Sequence, residues 1–452
     1  MTTTIIEGAY IATVDASGAE YDGGHVVIVD GRISAVGAGP AAEELRSGAQ
    51  IVDGRGCLVT PGLVNTHHHL YQWLTRGWAQ DAILFDWLTA LYPTWARIDA
   101  EVVQAGAAAA MAVLARSGCT LVGDHHYVFP QGGGDILGGI VEAAGEIGVR
   151  LHATRGSMDL GRSQGGLPPD FAVETTDAIL AASVDAVARF HDPSADARIQ
   201  VALAPCSPFS VTADLLRESA VLARELGVRL HTHGAETVEE EAFCRERFGM
   251  GPTDYLEGLG WLGDDVWMAH CVHLGETDIA KFAATGTGVA HCPSSNARLA
   301  AGIAPIPQLL AAGVPVGLGV DGAASNESGQ LASEIRQAVL MNRLRSGADS
   351  ISGRDALRVA TIGGARVLGR DRDLGSLEVG KLADIAVWRI DGVEHAGIVD
   401  PVAALTLAAP PPLALLLVGG EPIVRDGDLT TTDTMAVARR GARAAATLAE
   451  RR

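Results

Sequence analysis

What constrains this chain most is an alternation that runs from about residue 59 to residue 376. Short apolar runs rich in Val, Ile and Leu take turns with longer Ala/Leu/Glu/Arg-rich stretches. The first run, Leu63-Val64, leads into Asn65-Thr66-His67-His68-His69. Seven more stand at Thr120–Asp124, Arg150–Thr154, Ile199–Leu203, Val228–His233, Val266–Ala269, Val289–His291 and Val316–Val320. Such runs read as buried strands, and stretches such as Ala213–Leu226 and Glu276–Ala284 read as helices. Eight strand-plus-helix units over about 300 residues fit an α/β fold, a (β/α)8 TIM-like barrel, which carries its chemistry at the C-terminal strand ends. An open doubly wound sheet fits less well, because no Gly-x-Gly-x-x-Gly follows the first strand.

The flanks have another texture. Ile11–Val14, His25–Val29 and Arg32–Val36 at one end, and Ala383–Trp388, Leu413–Val418 and Glu421–Arg425 at the other, read as strands. Asp30-Gly31, Gly419-Gly420 and Asp426-Gly427 supply turns between them. Neither flank alone can bury a good core. Residues 1–58 and 377–452 are therefore expected to form one small β-sandwich beside a catalytic barrel of residues 59–376.

Charge narrows the partners. The formal charge of −20 argues against a nucleic acid polymer or an anionic membrane and leaves a small, neutral heteroaromatic substrate compatible. The stretches 105–115 and 405–418 are too short to span a bilayer, and the start of the chain lacks the basic and apolar regions of a secretory signal. Six cysteines without a Cys-x-x-Cys pair suggest reduced thiols and a cytoplasmic protein. A homo-oligomer is expected.

Histidine carries the chemistry. On a strand, His67 and His69 would share a face, which makes half of a metal site. Further along, His231-Thr232-His233-Gly234-Ala235-Glu236, His270-Cys271-Val272-His273 and Asp321-Gly322-Ala323-Ala324-Ser325-Asn326 fall at the ends of later strands. With 14 histidines in the chain, this repeated placement points to a metal site rather than core packing. Imidazoles and a carboxylate suit a divalent transition ion with one position left for water. Glu236, three residues after His233, is placed to move that water's proton, and His270 to polarise the bond under attack.

These motifs, together with Gly375-Ser376-Leu377-Glu378-Val379-Gly380-Lys381-Leu382-Ala383-Asp384, resemble the amidohydrolase superfamily in its aminohydrolase branch. The resemblance implies His67, His69, His233 and Asp321 as metal ligands, Glu236 as proton shuttle and His270 beside substrate and water. Asp321 is also implied as an acceptor of the water's proton. Asn65 stands where an Asp often precedes the histidine pair. The two lysines, Lys281 and Lys381, lie outside the segment between His69 and His233, which argues against a lysine-bridged metal pair and for one divalent ion, zinc ahead of iron.

Four of the seven tryptophans fall within residues 71–95, where a ring such as Trp87 could wall a slot for a flat substrate while most of the others pack a helix. Gln72 suits a purine edge. Pro205-Cys206-Ser207-Pro208-Phe209-Ser210, Asp124-His125-His126-Tyr127 and Thr154-Arg155-Gly156-Ser157-Met158 resemble the 8-oxoguanine deaminases within that branch, with Cys206 where guanine deaminases carry an arginine. The resemblance implies hydrolytic deamination of a purine-type ring, with Gln72, Cys206, Trp87 and Arg155 as substrate contacts. Isoguanine, guanine and hydroxylated s-triazines are the alternative substrates. A non-catalytic interaction module would need a missing ligand, and none is missing.

Overall fold

The computed structural model describes residues 2–451. Five strands come first: β1 (Thr3–Ala12), β2 (Glu20–Val29), β3 (Arg32–Gly37), β4 (Gln50–Asp53) and β5 (Cys57–Pro61). Asp30 and Gly31 both have positive φ, the condition for the tight turn that joins β2 to β3. Eight strands follow: β6 (Leu63–Asn65), β7 (Cys119–Gly123), β8 (Arg150–Ser157), β9 (Ile199–Pro205), β10 (Leu230–Gly234), β11 (Val266–His270), β12 (Gly288–His291) and β13 (Val316–Leu318). They pair in parallel and close into a barrel where Leu318 of β13 meets Asn65 of β6. Every residue of β7, β8, β10, β11 and β12 is buried, as both faces of a parallel barrel strand are covered.

The chain then returns through β14 (Ile385–Arg389), β15 (Leu413–Val418), β16 (Glu421–Arg425) and β17 (Asp428–Leu429). Strands from both flanks do combine, as one continuous nine-stranded sheet ordered β17-β16-β15-β14-β5-β1-β2-β3, with β4 beside β1. The join is β5, parallel to β1 and antiparallel to β14. The sheet curls on itself. Ile33 donates its N–H to Lys381 O and Gly380 donates to Ile33 O, so β3 meets the segment that leads into β14. Inside the curl lie Ile6, Ile11, Val26, Val59, Val387 and Leu415.

Sheet and barrel are stapled by a buried ion pair. Arg150 at the start of β8 reaches Asp384 at 3.0 and 3.1 Å. The same guanidinium donates to Asp196 O and Ala197 O, and Asp384 also accepts the N–H of Gly419. The helix Thr434–Glu450 leaves the sheet and packs along the barrel helix Ala100–Arg116. Among the described residues no helix is long and apolar enough to cross a membrane.

Candidate metal centre

β6 ends at Asn65, so the three histidines lie just beyond the strand rather than on it. The segment is laced to β13: Asn65 Oδ1 accepts the N–H of Val320 at 2.9 Å, and Thr66 donates its N–H to Leu318 O. Gly317 permits this approach, since a Cβ there would stand 2.4 Å from Thr66 Cγ2. From this anchor His67 and His69 turn toward the points reached by His233 at the end of β10 and Asp321 just past β13. His69 Nε2 lies 3.2 Å from His233 Nε2, and His67 Nε2 and His69 Nε2 each lie 3.3 Å from Asp321 Oδ1.

The protons in this cluster are assigned by its neighbours. His69 Nδ1 is 2.6 Å from His125 O, and His233 Nδ1 is 2.7 Å from Cys206 O. A carbonyl can only accept, so each Nδ1 bears the proton and each Nε2 keeps a lone pair. Burial pushes the imidazoles of His67, His69 and His233 down, which keeps them neutral. Facing lone pairs beside a carboxylate oxygen repel one another unless a cation sits among them. The observed spacing matches the edge of about 3.3 Å expected for donors about 2.0–2.1 Å from one tetrahedral zinc-type ion. The donor set therefore fits a divalent metal. A fourth imidazole, His125, lies within reach of the three histidines and stacks on His233 with centroids 4.6 Å apart.

Around these donors the backbone is bent sharply. Ala235, His270, Cys271 and Asp321, at the ends of β10, β11 and β13, have φ of 51°, 72°, 52° and 65°. Left-handed backbone is unfavourable for residues with a side chain and gathers at functional sites. Glu236 is held by its backbone, with its N–H and that of Ala235 donating to the buried Glu240 carboxylate at 2.7 and 3.2 Å. Its own Oε1 faces His270 Nε2 at 3.6 Å. Burial, and then the charge of Asp321, pushes the Glu236 carboxyl well above the usual range. His270 Nδ1 lies 2.9 Å from Asn296 Oδ1. Asp321 accepts hydrogen bonds from Ser295 Oγ, Ser325 Oγ and the N–H of Gly322, three donors that favour its ionised form.

The profile of the Amidohydrolase family matches residues 58–412. An 8-oxoguanine deaminase from Pseudomonas aeruginosa is 47% identical over 97% of this chain and 98% of its own length. The chain belongs to the amidohydrolase family. A hydroxydechloroatrazine ethylaminohydrolase from Pseudomonas sp. strain ADP is 38% identical to this amidohydrolase over 97% of it and 94% of the relative. Among solved structures, an atrazine chlorohydrolase from Arthrobacter aurescens TC1 complexed with zinc superposes with a TM-score of 0.92 at 32% identity, covering 98% of this chain and all of that one.

Beside the donors of this amidohydrolase lies a small cavity, lined by His69, His233, Glu236, His270 and Asp321 and by Gln72, Trp87, Tyr127, Cys206, Phe209 and Leu299 among others. Of the expected substrate contacts, Gln72, Trp87 and Cys206 border it. Arg155 is not among the lining residues: its guanidinium pairs with Glu174 at 2.7 Å, donates to Gly156 O and lies 3.7 Å from the Phe129 ring centre. Among the aromatic residues of the 71–95 stretch only Trp87 lines the cavity, while Tyr71 and Tyr92 each pack edge-on against Trp95. The indole N–H of Trp87 is buried with no acceptor within the protein. Gln72 reaches its place because residue 322 is glycine, where a Cβ would fall 1.7 Å from Gln72 Oε1. Among the described residues no Lys or Arg lines the cavity. Lys281 pairs with Asp254 and Glu257, and Lys381 donates to Asp371 O and Leu374 O, both away from the donor cluster.

Proposed function

We propose that this amidohydrolase is a hydrolytic deaminase of a purine-type ring that uses one divalent ion, zinc ahead of iron, with 8-oxoguanine as the leading substrate and urate and ammonia as products. The observation that carries the reading is the convergence of imidazole lone pairs and one carboxylate oxygen, beside the buried carboxyl of Glu236, on a cavity that no described Lys or Arg lines. His67, His69, His233 and Asp321 would hold the ion, which when bound acidifies a water and polarises the carbon under attack. Glu236 then takes the water's proton and passes it to the departing amine, work suited to a carboxyl whose proton affinity burial has raised. His270, facing Glu236 Oε1 from β11, orients the water and the ring carbon. Asp321 would accept the water's second proton, which ends on the ring nitrogen as the new carbonyl forms, so that the amine leaves as ammonia and both protons are placed.

Specificity is assigned to Gln72 and Trp87, which offer amide and indole groups to the ring edge, and to Cys206. The small thiol stands where guanine deaminases, by resemblance, carry an arginine. It leaves room for an oxygen at C8 and removes a donor that would oppose the N7–H of 8-oxoguanine. The 47% identity to an 8-oxoguanine deaminase supports this choice over isoguanine or guanine. A second reading, amine removal from a hydroxylated s-triazine, is favoured by the ethylaminohydrolase relative. The six buried free thiols support a reducing, cytoplasmic setting.

Ammonia release across 8-oxoguanine, guanine, isoguanine, cytosine, adenosine derivatives and amino-triazines tests the proposal, with 8-oxoguanine expected to show the highest kcat/KM. No ammonia from any purine in metal-loaded protein would overturn it. Elemental analysis should find one divalent ion per chain, and two tightly bound ions would sink the mononuclear reading.

A further inference from the structure

One imidazole beside the donor cluster has no part in the mechanism above. His231, two residues before His233 on β10, is 1% exposed and points into the barrel below the cavity. Its Nδ1 is 2.9 Å from Trp267 O, its ring lies on the Trp267 indole with centroids 4.3 Å apart and planes 11° from parallel, and its Nε2 is 2.8 Å from His67 Nδ1. Trp267 is fixed in turn, since its indole N–H donates to Thr66 O at 3.1 Å, one residue before His67.

We infer that His231 is a positioning residue for the metal centre: it sets the tautomer and ring plane of His67 through an imidazole–imidazole hydrogen bond. The assignment of protons leaves no alternative for a neutral pair. Trp267 O can only accept, so the single proton of His231 is on Nδ1 and its Nε2 is a lone pair. That lone pair can only receive a proton from His67, so His67 carries its proton on Nδ1 and presents Nε2 toward Asp321 Oδ1, 3.3 Å away. The other two imidazoles of the cluster are oriented by backbone carbonyls, whereas His67 depends on a side chain. Partners of this kind raise the basicity of the ligand they orient, and their removal typically weakens metal affinity by roughly 10–100-fold.

The inference rests on the metal-site reading, and the experiment separates the two. Metal-free wild type, His231→Phe and His231→Gln are titrated with Zn2+ against a chromophoric chelator, and the visible spectrum of each Co2+-loaded chain is recorded. Phenylalanine keeps the stack on Trp267 and removes the acceptor, whereas glutamine restores an acceptor oxygen. We expect the folded His231→Phe chain to bind Zn2+ at least about tenfold more weakly, with altered Co2+ bands, and His231→Gln to stay within about threefold of wild type. Wild-type affinity and an unchanged Co2+ spectrum in His231→Phe would overturn the inference while leaving the metal site standing. A wild-type chain that binds no Zn2+ would instead overturn the metal reading itself. If His231→Phe fails to fold by circular dichroism, His231→Gln decides: near-wild-type affinity supports the acceptor role, and a loss of about tenfold or more in a folded glutamine chain overturns it.

Discussion

Glu236 is the residue on which chemistry can be separated from metal binding most cleanly, because it lines the cavity without belonging to the close donor set. Glu236→Gln keeps its size and removes its proton-carrying oxygen. The variant is expected to retain metal while kcat falls by at least about 10²-fold, and near-normal turnover in metal-loaded protein would remove Glu236 from the mechanism. Cys206→Arg addresses specificity. Returning a cationic donor to a cavity that has none is expected to erode the preference for 8-oxoguanine over guanine by about ten- to a thousandfold in kcat/KM, the scale of one or two mismatched buried polar groups at roughly 1–3 kcal/mol each. An unchanged ratio of the two kcat/KM values would release Cys206 from that role. The close donors were legible in the chain because histidine is a rare residue that rarely recurs at strand ends by chance. The pairing of Arg155 with Glu174 was not legible, because Glu174 lies on a later segment that no local pattern connects to it. Ser295 and Asn296 left no local signature, and His231 and Ser325 stood inside legible motifs without their partners being legible, since each acts through a distance set by the closed barrel.

At the scale of elements, the eight apolar runs each became a barrel strand, with ends displaced by a few residues where the chain bends into the site. β6 is the shortest reading of its run: it stops at Asn65, and its histidines are placed by hydrogen bonds to β13 rather than by strand alternation. The two flanks were legible as strands, but their continuity was not, because β5 joins partners that lie hundreds of residues apart in the chain. Arg150 and Asp384 hold that joint to the barrel, and both are buried. Asp384→Ala would leave a buried guanidinium without its counter-charge, an arrangement that costs about 3–5 kcal/mol. Chemical denaturation is expected to show a loss of this size, and an unchanged midpoint would mean that the pair contributes nothing net.

For the whole molecule, histidine burial sets a response to acid. Ten of the 14 histidines, namely His67, His68, His69, His125, His126, His152, His191, His231, His233 and His291, have their protonation pushed down, chiefly by burial. The unfolded chain binds protons at these rings near pH 6.5, whereas the folded chain binds them only further down, so their contribution to stability is present above about 6.5 and is lost as pH falls below it. Asp124, Glu240 and Glu334, pushed by burial up to about 7, and Glu236, pushed well above the usual range, act in the opposite sense, favouring the fold at low pH, but they are outnumbered. The metal-free chain is expected to lose stability steeply between about pH 6.5 and 5 in denaturant titrations, and a flat or rising profile over that interval would refute this balance. The placement of β5 and β6 on either side of Gly62 also has a meaning in time. As the chain is synthesised, β5 finds β1 at once, but its other neighbour, β14, emerges only after the entire barrel. β6 in turn closes the barrel only when β13 has been made. Two adjacent strands thus wait with open edges through most of translation, and edges of that kind invite wrong pairing. The late arrival of β13 and β14 is the event that ends the wait.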